Sequence, residues 1–520
     1  MATAHEKLAD SLSLLQQHQK AGAQVVRSAD LSRVHRERLV KAGYLALVMK
    51  GWFIYASPED RSADSTAWYT SMRDFVRGYA DHRFGDEWCV NAELSLQLHT
   101  AVTRLPTQIM LQAPKGDNNV VPLPAGTSLF VYKSKDFPAP GLRVEAMGLR
   151  AWSLEAALVR ASPQAWQADP GTMRLALAQL QDVDELNRIL LDGEHSVVAG
   201  RLIGALEAVG RADLGRHIAQ AMRAADYVVR PDNPFKEPVA PVLLRQESPY
   251  CGRIRAMWDA MRTEVIAHWP LAPQPVLDAH AYMVDMEERY LTDAYHSLSI
   301  EGYRVTPALI EKVRAGKWSP DSSAGDKRDR DVMAARGYYD AHLRVRASLT
   351  PVLAGDNPGA VIKADLQAWY QSMWGPSVRA GILKPSDLAG WRNGEVFIRN
   401  SMHTPPKREA VRDAMPVFFD LLAQEEHAAV RVVLGHFVFV FIHPYMDGNG
   451  RLARFLMNTM LASGGWPWTV IPVETRGDYM KALEAGSADQ DIVPFTQFVA
   501  RIVTQQLDTP LDIKDRFRSG

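Results

Sequence analysis

HPYMDGNGRLAR, residues 443–454, sets one histidine, one aspartate, a glycine-asparagine-glycine turn and two arginines close together. Upstream, HAAVRVVLGHFVFVFIH (427–443) is apolar on nearly every side. Its length and the spacing of Val430, Val433, Leu434, Phe437 and Phe441 predict a buried helix rather than a strand. His443 then leaves the end of a rigid core element. Downstream, GRLARFLMNTMLASGG (450–465) puts Leu452, Phe455, Leu456 and Thr459 on one side and stops at Gly464-Gly465, a glycine helix end. The stretch is a loop between two core helices.

Such a loop suits anions. Gly448, Asn449 and Gly450 let the backbone turn tightly and expose N–H groups at the start of the next helix, where unpaired donors and the positive dipole end attract phosphate. Arg451 and Arg454 share one side of the first helical turn and can fork onto phosphate oxygens. Asp447 offers a hard oxygen for Mg²⁺, which takes one or two carboxylates plus substrate phosphates. His443, with an ordinary pKa of about 6.5, can accept a proton near neutrality. Singly, each feature is commonplace: a helix-end histidine, a turn, solvated arginines. Their order in one loop points to phosphoryl or nucleotidyl transfer.

Around this loop, 520 residues predict two to four domains, at roughly 100–200 residues each. A net charge of −1 argues against a globally polyanion-binding chain, so any nucleic-acid contact must be local. Cys89 and Cys251 are the two cysteines and lie far apart, which predicts neither a disulfide framework nor a thiolate metal site. The amphipathic start lacks a signal-peptide core and no apolar run approaches the ~18 residues of a membrane span, so a cytoplasmic protein without membrane contact is expected.

Punctuation divides the chain into 1–60, 61–229, a proline-rich linker 230–245 (RPDNPFKEPVAPV begins it), a helical region 246–350, a core 351–507 and a tail 508–520. Residues 21–55 predict a helix, a basic helix ending at Gly43 and two short strands about Lys50-Gly51, the outline of a winged helix. Arg33, Arg36 and Lys41 on the basic helix are the candidates for DNA contact; a protein-docking module with a solvated charged face explains the same pattern. Residues 85–150 alternate strand-like runs with turns, and 152–228 turn helical, giving an α+β region. The remainder is helical except GEVFIRNSMHTPP (394–406), whose alternating apolar residues predict a β-hairpin.

The opening loop resembles the signature of the Fic (filamentation induced by cAMP) family, His-Pro-Phe-x-Asp-Gly-Asn-Gly-Arg-x-x-Arg. Tyr445 alone departs from it, at a packing position. Similarity extends over roughly 280–505 and includes RGDYMKALEAG (476–486). The first 200 residues or so more weakly resemble winged-helix-led, type IV antitoxin-like proteins, through LVKAGYLALVMKGWFIY. The Fic resemblance implies an all-α Fic fold and AMP transfer from Mg·ATP to a Ser, Thr or Tyr hydroxyl of a target protein, or of the enzyme itself. His443 would be the base, Asp447 the metal ligand, Gly448, Asn449 and Gly450 the anion hole, and Arg451 and Arg454 the phosphate clamps. Relatives acting as kinases carry lysine where this chain has Gly450. Tyr479 would line the adenine pocket or pack between helices.

SLSIEG (297–302) fits the family's inhibitory motif through Ser297, Glu301 and Gly302, on a helix expected over about 281–302. A carboxylate paired with Arg454 would remove it from the γ-phosphate, hence autoinhibition. In some relatives this glutamate also positions water to remove AMP. Within the 394–406 hairpin, residues 394–404 would be the flap that pairs with an extended target segment, with Val396, Phe397 and Ile398 as its docking residues. The competing function is a DNA-binding regulator that uses the Fic core as a nucleotide sensor or antitoxin partner. The sequence admits a homodimer without requiring one.

Overall fold

The computed structural model describes residues 3–20, 25–58, 65–134, 137–235, 248–272, 278–317 and 330–508. Most of the expected linker and nearly all of the expected tail lie outside these residues. The chain forms two compact units: one runs to Arg253 and takes in Phe397–Thr404, the other consists of Ile254–Val396 and the residues from Pro405 onward.

The first unit begins with the helix Ala4–Lys20, the short strand Val26–Arg27, the helix Arg33–Lys41 and the strands Leu45–Met49 and Trp52–Tyr55. The last two pair antiparallel about Lys50-Gly51, and Val26–Arg27 adds to Trp52–Phe53, so Trp52–Tyr55 is central. Where a helix was expected after Ala21, the described residues begin a strand instead: Val26 is fully buried and extended against Phe53. The helix lies earlier, in Ala4–Lys20. A four-stranded sheet follows, ordered Cys89–Val90, Gln108–Ala113, Ser128–Lys133, Asn119–Pro122, with its central pair parallel. Helices from Leu154–Arg160 to Ala212–Ala224 then bury Trp166, Leu177, Leu202 and Leu206 in one core.

The second unit contains no strand among its described residues. Its helices include Ala279–Ile300, Arg330–Leu353, Pro358–Arg379, Arg408–Gln424, Ala428–Ile442, Asn449–Ser463, Arg476–Asp489 and Val493–Asp508. Ala428–Ile442 is its centre: Val433, Leu434, Phe437, Val438 and Phe439 are fully buried on different sides. Each such side chain contributes about 1.5–3 kcal/mol on burial, so a charge placed at Phe437 would break the unit rather than tune it.

The predicted hairpin does not form. Residues 394–406 hold no strand, and their one bridge joins His403 to Arg104 within the first unit. There Thr404 N–H donates to the Thr103 carbonyl at 3.0 Å and Leu105 N–H to the Met402 carbonyl at 2.9 Å. The physical reason lies in the ends of the segment. Pro405 and Pro406 have no N–H for a ladder, and the Arg392 guanidinium closes the loop by donating to the Gly394 carbonyl at 2.9 Å and to the Pro406 carbonyl. Val396 is buried and Phe397 is exposed.

Candidate active site

Ala428–Ile442 ends in a left-handed residue, His443, with φ 53° and ψ 60°. Its backbone N–H still donates to the Phe439 carbonyl at 3.0 Å, so the ring swings out where the helix stops. Nδ1 lies 3.1 Å from the Val440 carbonyl. A carbonyl only accepts, so Nδ1 carries the proton and the neutral ring keeps Nε2 as its acceptor. Burial pushes the His443 pKa below its ordinary value, aided by Arg392 and opposed by the Val440 carbonyl, Glu301 and Asp447.

Arg392 was not singled out from the sequence, yet it braces this turn. Its Nε donates to the His443 carbonyl at 2.9 Å, and its backbone N–H donates to the Pro444 carbonyl at 2.8 Å. No spacing rule links positions so far apart in the chain.

Tyr445 occupies the family's phenylalanine position. It is buried, stacks on Tyr370 at 3.8 Å between ring centroids, and satisfies its hydroxyl on Gln367 Oε1 at 3.0 Å. Asn449 turns its side chain back into the loop: Tyr445 N–H donates to Oδ1 at 2.9 Å and Nδ2 donates to the Tyr445 carbonyl at 2.8 Å. The Asn449 side chain is thus a loop staple, and what it offers an anion is backbone. Gly448, at φ 88°, opens the helix Asn449–Ser463.

Both arginines are buried. Arg451 is 1% exposed, with its guanidinium carbon 5.1 Å from the ring centroids of both Tyr303 and Trp374. Its Nε and Nη2 have no hydrogen-bond partner, and neither has Nη1 of Arg454. Buried, unpaired guanidinium donors at a helix N-terminus fit phosphate oxygens. Asp447 is more open: its Oδ1 accepts the Gly448 N–H at 2.5 Å and lies 3.6 Å from Arg451 Nη2, with the side chain 57% exposed. Among the described residues no three His, Cys, Asp or Glu side chains gather into a metal cage. One hard carboxylate beside a phosphate cradle fits Mg²⁺, whose remaining ligands come from phosphates and water.

The helix Ala279–Ile300 delivers Ser297 and Glu301 to the same place. It ends as a Schellman motif: Gly302 N–H donates to the Ser299 carbonyl at 3.0 Å, Tyr303 N–H to the Leu298 carbonyl at 3.1 Å, and Gly302 has φ 86°. Glu301, at the cap, accepts from Arg454 Nη2 at 2.7 Å. Ser297 accepts from Arg454 twice, through Oγ at 2.9 Å and its carbonyl at 3.0 Å. A Cβ added at Gly450 would lie 2.4 Å from Glu301 Oε1, so the carboxylate rests on the bare backbone of the anion loop. Burial alone would raise the Glu301 pKa, but Arg454 and then Arg451 outweigh it and hold the carboxyl below its ordinary value.

Tyr479 is buried between helices. It is 1% exposed, packs on Phe495 and Phe498, and bonds His436 Nε2 through its hydroxyl at 2.8 Å. His436 Nδ1 faces the Ala453 carbonyl at 3.1 Å, so Nδ1 donates there and Nε2 accepts the Tyr479 proton. Burial pushes His436 down to about 3, which keeps it neutral. The downstream helix is apolar enough on this side that the tyrosine completes the core.

The candidate DNA contacts are differently placed. Arg36 Nη1 donates to the Ser28 and Leu31 carbonyls at 2.6 and 3.0 Å, and Arg33 pairs with Glu37 at 2.7 Å. Lys41 ends the helix.

Residues 365–461 match the family model described as Fic/DOC family, which takes in the whole 443–454 loop. This segment is therefore similar to the Fic/DOC family. Among curated proteins, it is 28% identical over 228 residues to "Protein adenylyltransferase Fic" of Drosophila willistoni, covering 43% of this chain and 42% of that protein. With the Nematostella vectensis protein of the same name it shares 29% over 231 residues, 44% of this chain and 50% of the other. The chain thus spans about half or less of these relatives' length. Among solved structures, a Fic-1 fragment from C. elegans is 19% identical, covering 68% of this chain and 89% of that one at a TM-score of 0.36. No helix among the described residues is long and apolar enough to cross a membrane.

Proposed function

We propose that this protein is an autoinhibited protein adenylyltransferase that moves AMP from Mg·ATP to a Ser, Thr or Tyr hydroxyl of a target protein. The observation that carries it is the pairing, in one loop, of a histidine whose Nε2 is left as acceptor with buried arginine donors that have no hydrogen-bond partner. His443 takes the hydroxyl proton, the hydroxyl oxygen bonds the α-phosphorus, and the bond from that phosphorus to the bridging oxygen breaks as pyrophosphate leaves. Arg451, Arg454 and the Gly448–Gly450 backbone hold the phosphates. Asp447 would hold Mg²⁺, which would neutralise phosphate charge when bound.

Glu301 is the inhibitory group in this reading. It takes one Arg454 donor and lies on Gly450, so bound triphosphate and the present Glu301 position exclude each other. Of the docking residues, Phe397 presents the exposed face for a target. The N-terminal elements serve as a winged-helix-like docking module. In the DNA-binding alternative the candidate contacts are Arg33, paired with Glu37 at the surface, Arg36, which donates to the Ser28 and Leu31 carbonyls, and Lys41 at the helix end.

The test is transfer of label from ATP to protein with Mg²⁺ present. The Glu301→Gly form should label protein more strongly than the unaltered chain, and adding His443→Ala should remove the labelling. Unchanged labelling in Glu301→Gly would refute the inhibitory role, and persistent labelling without His443 would refute the base.

A further inference from the structure

We propose that the indole N–H of Trp374 is a phosphate-binding donor of the nucleotide site, and that the Trp374 and Tyr303 rings together fix Arg451 beside it. This rests on reading the loop as a triphosphate cradle.

Trp374 sits on the helix Pro358–Arg379, outside the signature loop. Its Nε1 is buried and has no hydrogen-bond partner. A Cβ added at Gly448 would lie 3.2 Å from that nitrogen and 3.5 Å from Arg451 Nη2. Both donors therefore flank Gly448, the residue that opens the helix Asn449–Ser463. Arg451 supplies the independent sign of a ligand: it is 1% exposed, yet its Nε and Nη2 make no hydrogen bond, the Asp447 carboxylate reaching Nη2 only at 3.6 Å.

Burying N–H groups without acceptors is unfavourable, and adjacent ones facing the same backbone turn are satisfied together by one multi-oxygen anion. The rings explain why Arg451 holds its place without a full set of hydrogen bonds. Its guanidinium carbon lies 5.1 Å from both ring centroids, and the ring faces attract the cation while leaving its N–H edges available. Trp374 thus acts twice, through its face on Arg451 and through its edge on phosphate. Phenylalanine would keep the first role and lose the second.

The experiment uses the full chain carrying Glu301→Gly, labelled with ¹⁵N-tryptophan. Trp374→Phe identifies the Trp374 indole resonance by its loss, and Trp374→Tyr does so if the phenylalanine form fails to fold. Adding inorganic triphosphate to the parent should shift that resonance. In calorimetry, Trp374→Phe should weaken Mg·ATP binding roughly tenfold, the effect of losing one hydrogen bond to a charged acceptor. Adenosine binding should not change. An unmoved resonance while ATP binds, or equal ATP affinity in the phenylalanine form, overturns the proposal and leaves the cradle intact. A parent that binds neither ATP nor triphosphate overturns the cradle and the proposal together.

Discussion

The helices Arg33–Lys41 and Asn449–Ser463 both begin with arginines three residues apart, Arg33 with Arg36 and Arg451 with Arg454, and their arginines meet opposite conditions. Arg33 is solvent-exposed beside Glu37, and Arg36 caps the carbonyls of the turn before its own helix. Arg451 and Arg454 are buried, and each keeps donors without an acceptor. Counting positive charge therefore does not find an anion site. What sets the second pair apart is that its buried donors without a hydrogen-bond acceptor gather at one helix N-terminus. On Arg454 a carboxylate of the chain itself, Glu301, accepts from Nη2 at 2.7 Å and leaves Nη1 without a hydrogen-bond acceptor.

Substitutions can break or sharpen this contrast. The largest effect belongs to the base. In the Glu301→Gly form, His443→Ala should lower AMP transfer by about 10²–10⁴-fold, the span of positioned general-base catalysis, measured as initial rate at saturating ATP. Removal of the lock comes next: Glu301→Gly should raise transfer by roughly 10- to 100-fold, which corresponds to about 1.4–2.7 kcal/mol of lost competition for Arg454. The same change should cost stability in the nucleotide-free chain. We expect about 2 kcal/mol by chemical denaturation, below the ~3–5 of fully buried pairs, because the Glu301 side chain is 28% exposed.

Acidity gives a signed test. The Glu301 carboxyl is depressed in the fold, so its contribution to stability is complete above its unfolded pKa of about 4.3 and fades only as pH falls through the still lower folded value. Inhibition of the unaltered chain should thus stay constant between pH 8 and about pH 5.5. His443 is also depressed, so in the Glu301→Gly form transfer should hold to below pH ~6.5, the ordinary histidine value, before protonation removes the base. Removing Glu301 also removes one influence that raises His443, which moves the loss of activity further toward acid. On the other helix, Arg36→Ala should cost about 1 kcal/mol of stability for its lost backbone bonds. It should leave transfer unchanged, and Arg33→Ala should alter neither quantity.

The helix–loop–helix frame of the site was legible because its cues are local: apolar periodicity before His443, glycines at the turn and Gly464-Gly465 at the end. Ser297 and Glu301 were legible through the resemblance of SLSIEG to the Fic inhibitory motif, and both bond Arg454 in the structure. Arg392, Trp374 and Tyr303 were not, since each acts on the loop from a different segment and only the packing of helices brings them to it. The hairpin expected at 394–406 failed for a related reason. Alternation of apolar residues is a local cue, but the Gly394 and Pro406 carbonyls accept from Arg392, the Met402 carbonyl accepts from Leu105 N–H, and Thr404 N–H donates to Thr103. Tyr479 had two locally equal readings, and its buried hydrogen-bond partner, His436, lies on another helix, beyond the reach of local cues.

The central claim is that Glu301 stands where nucleotide phosphate belongs and that His443 acts once it has gone. Intact-mass spectrometry of a target-containing lysate incubated with Mg·ATP and the Glu301→Gly form tests this most directly. The account predicts proteins heavier by one AMP, absent when His443→Ala is added. An increase of different mass, or the same adduct without His443, would contradict it.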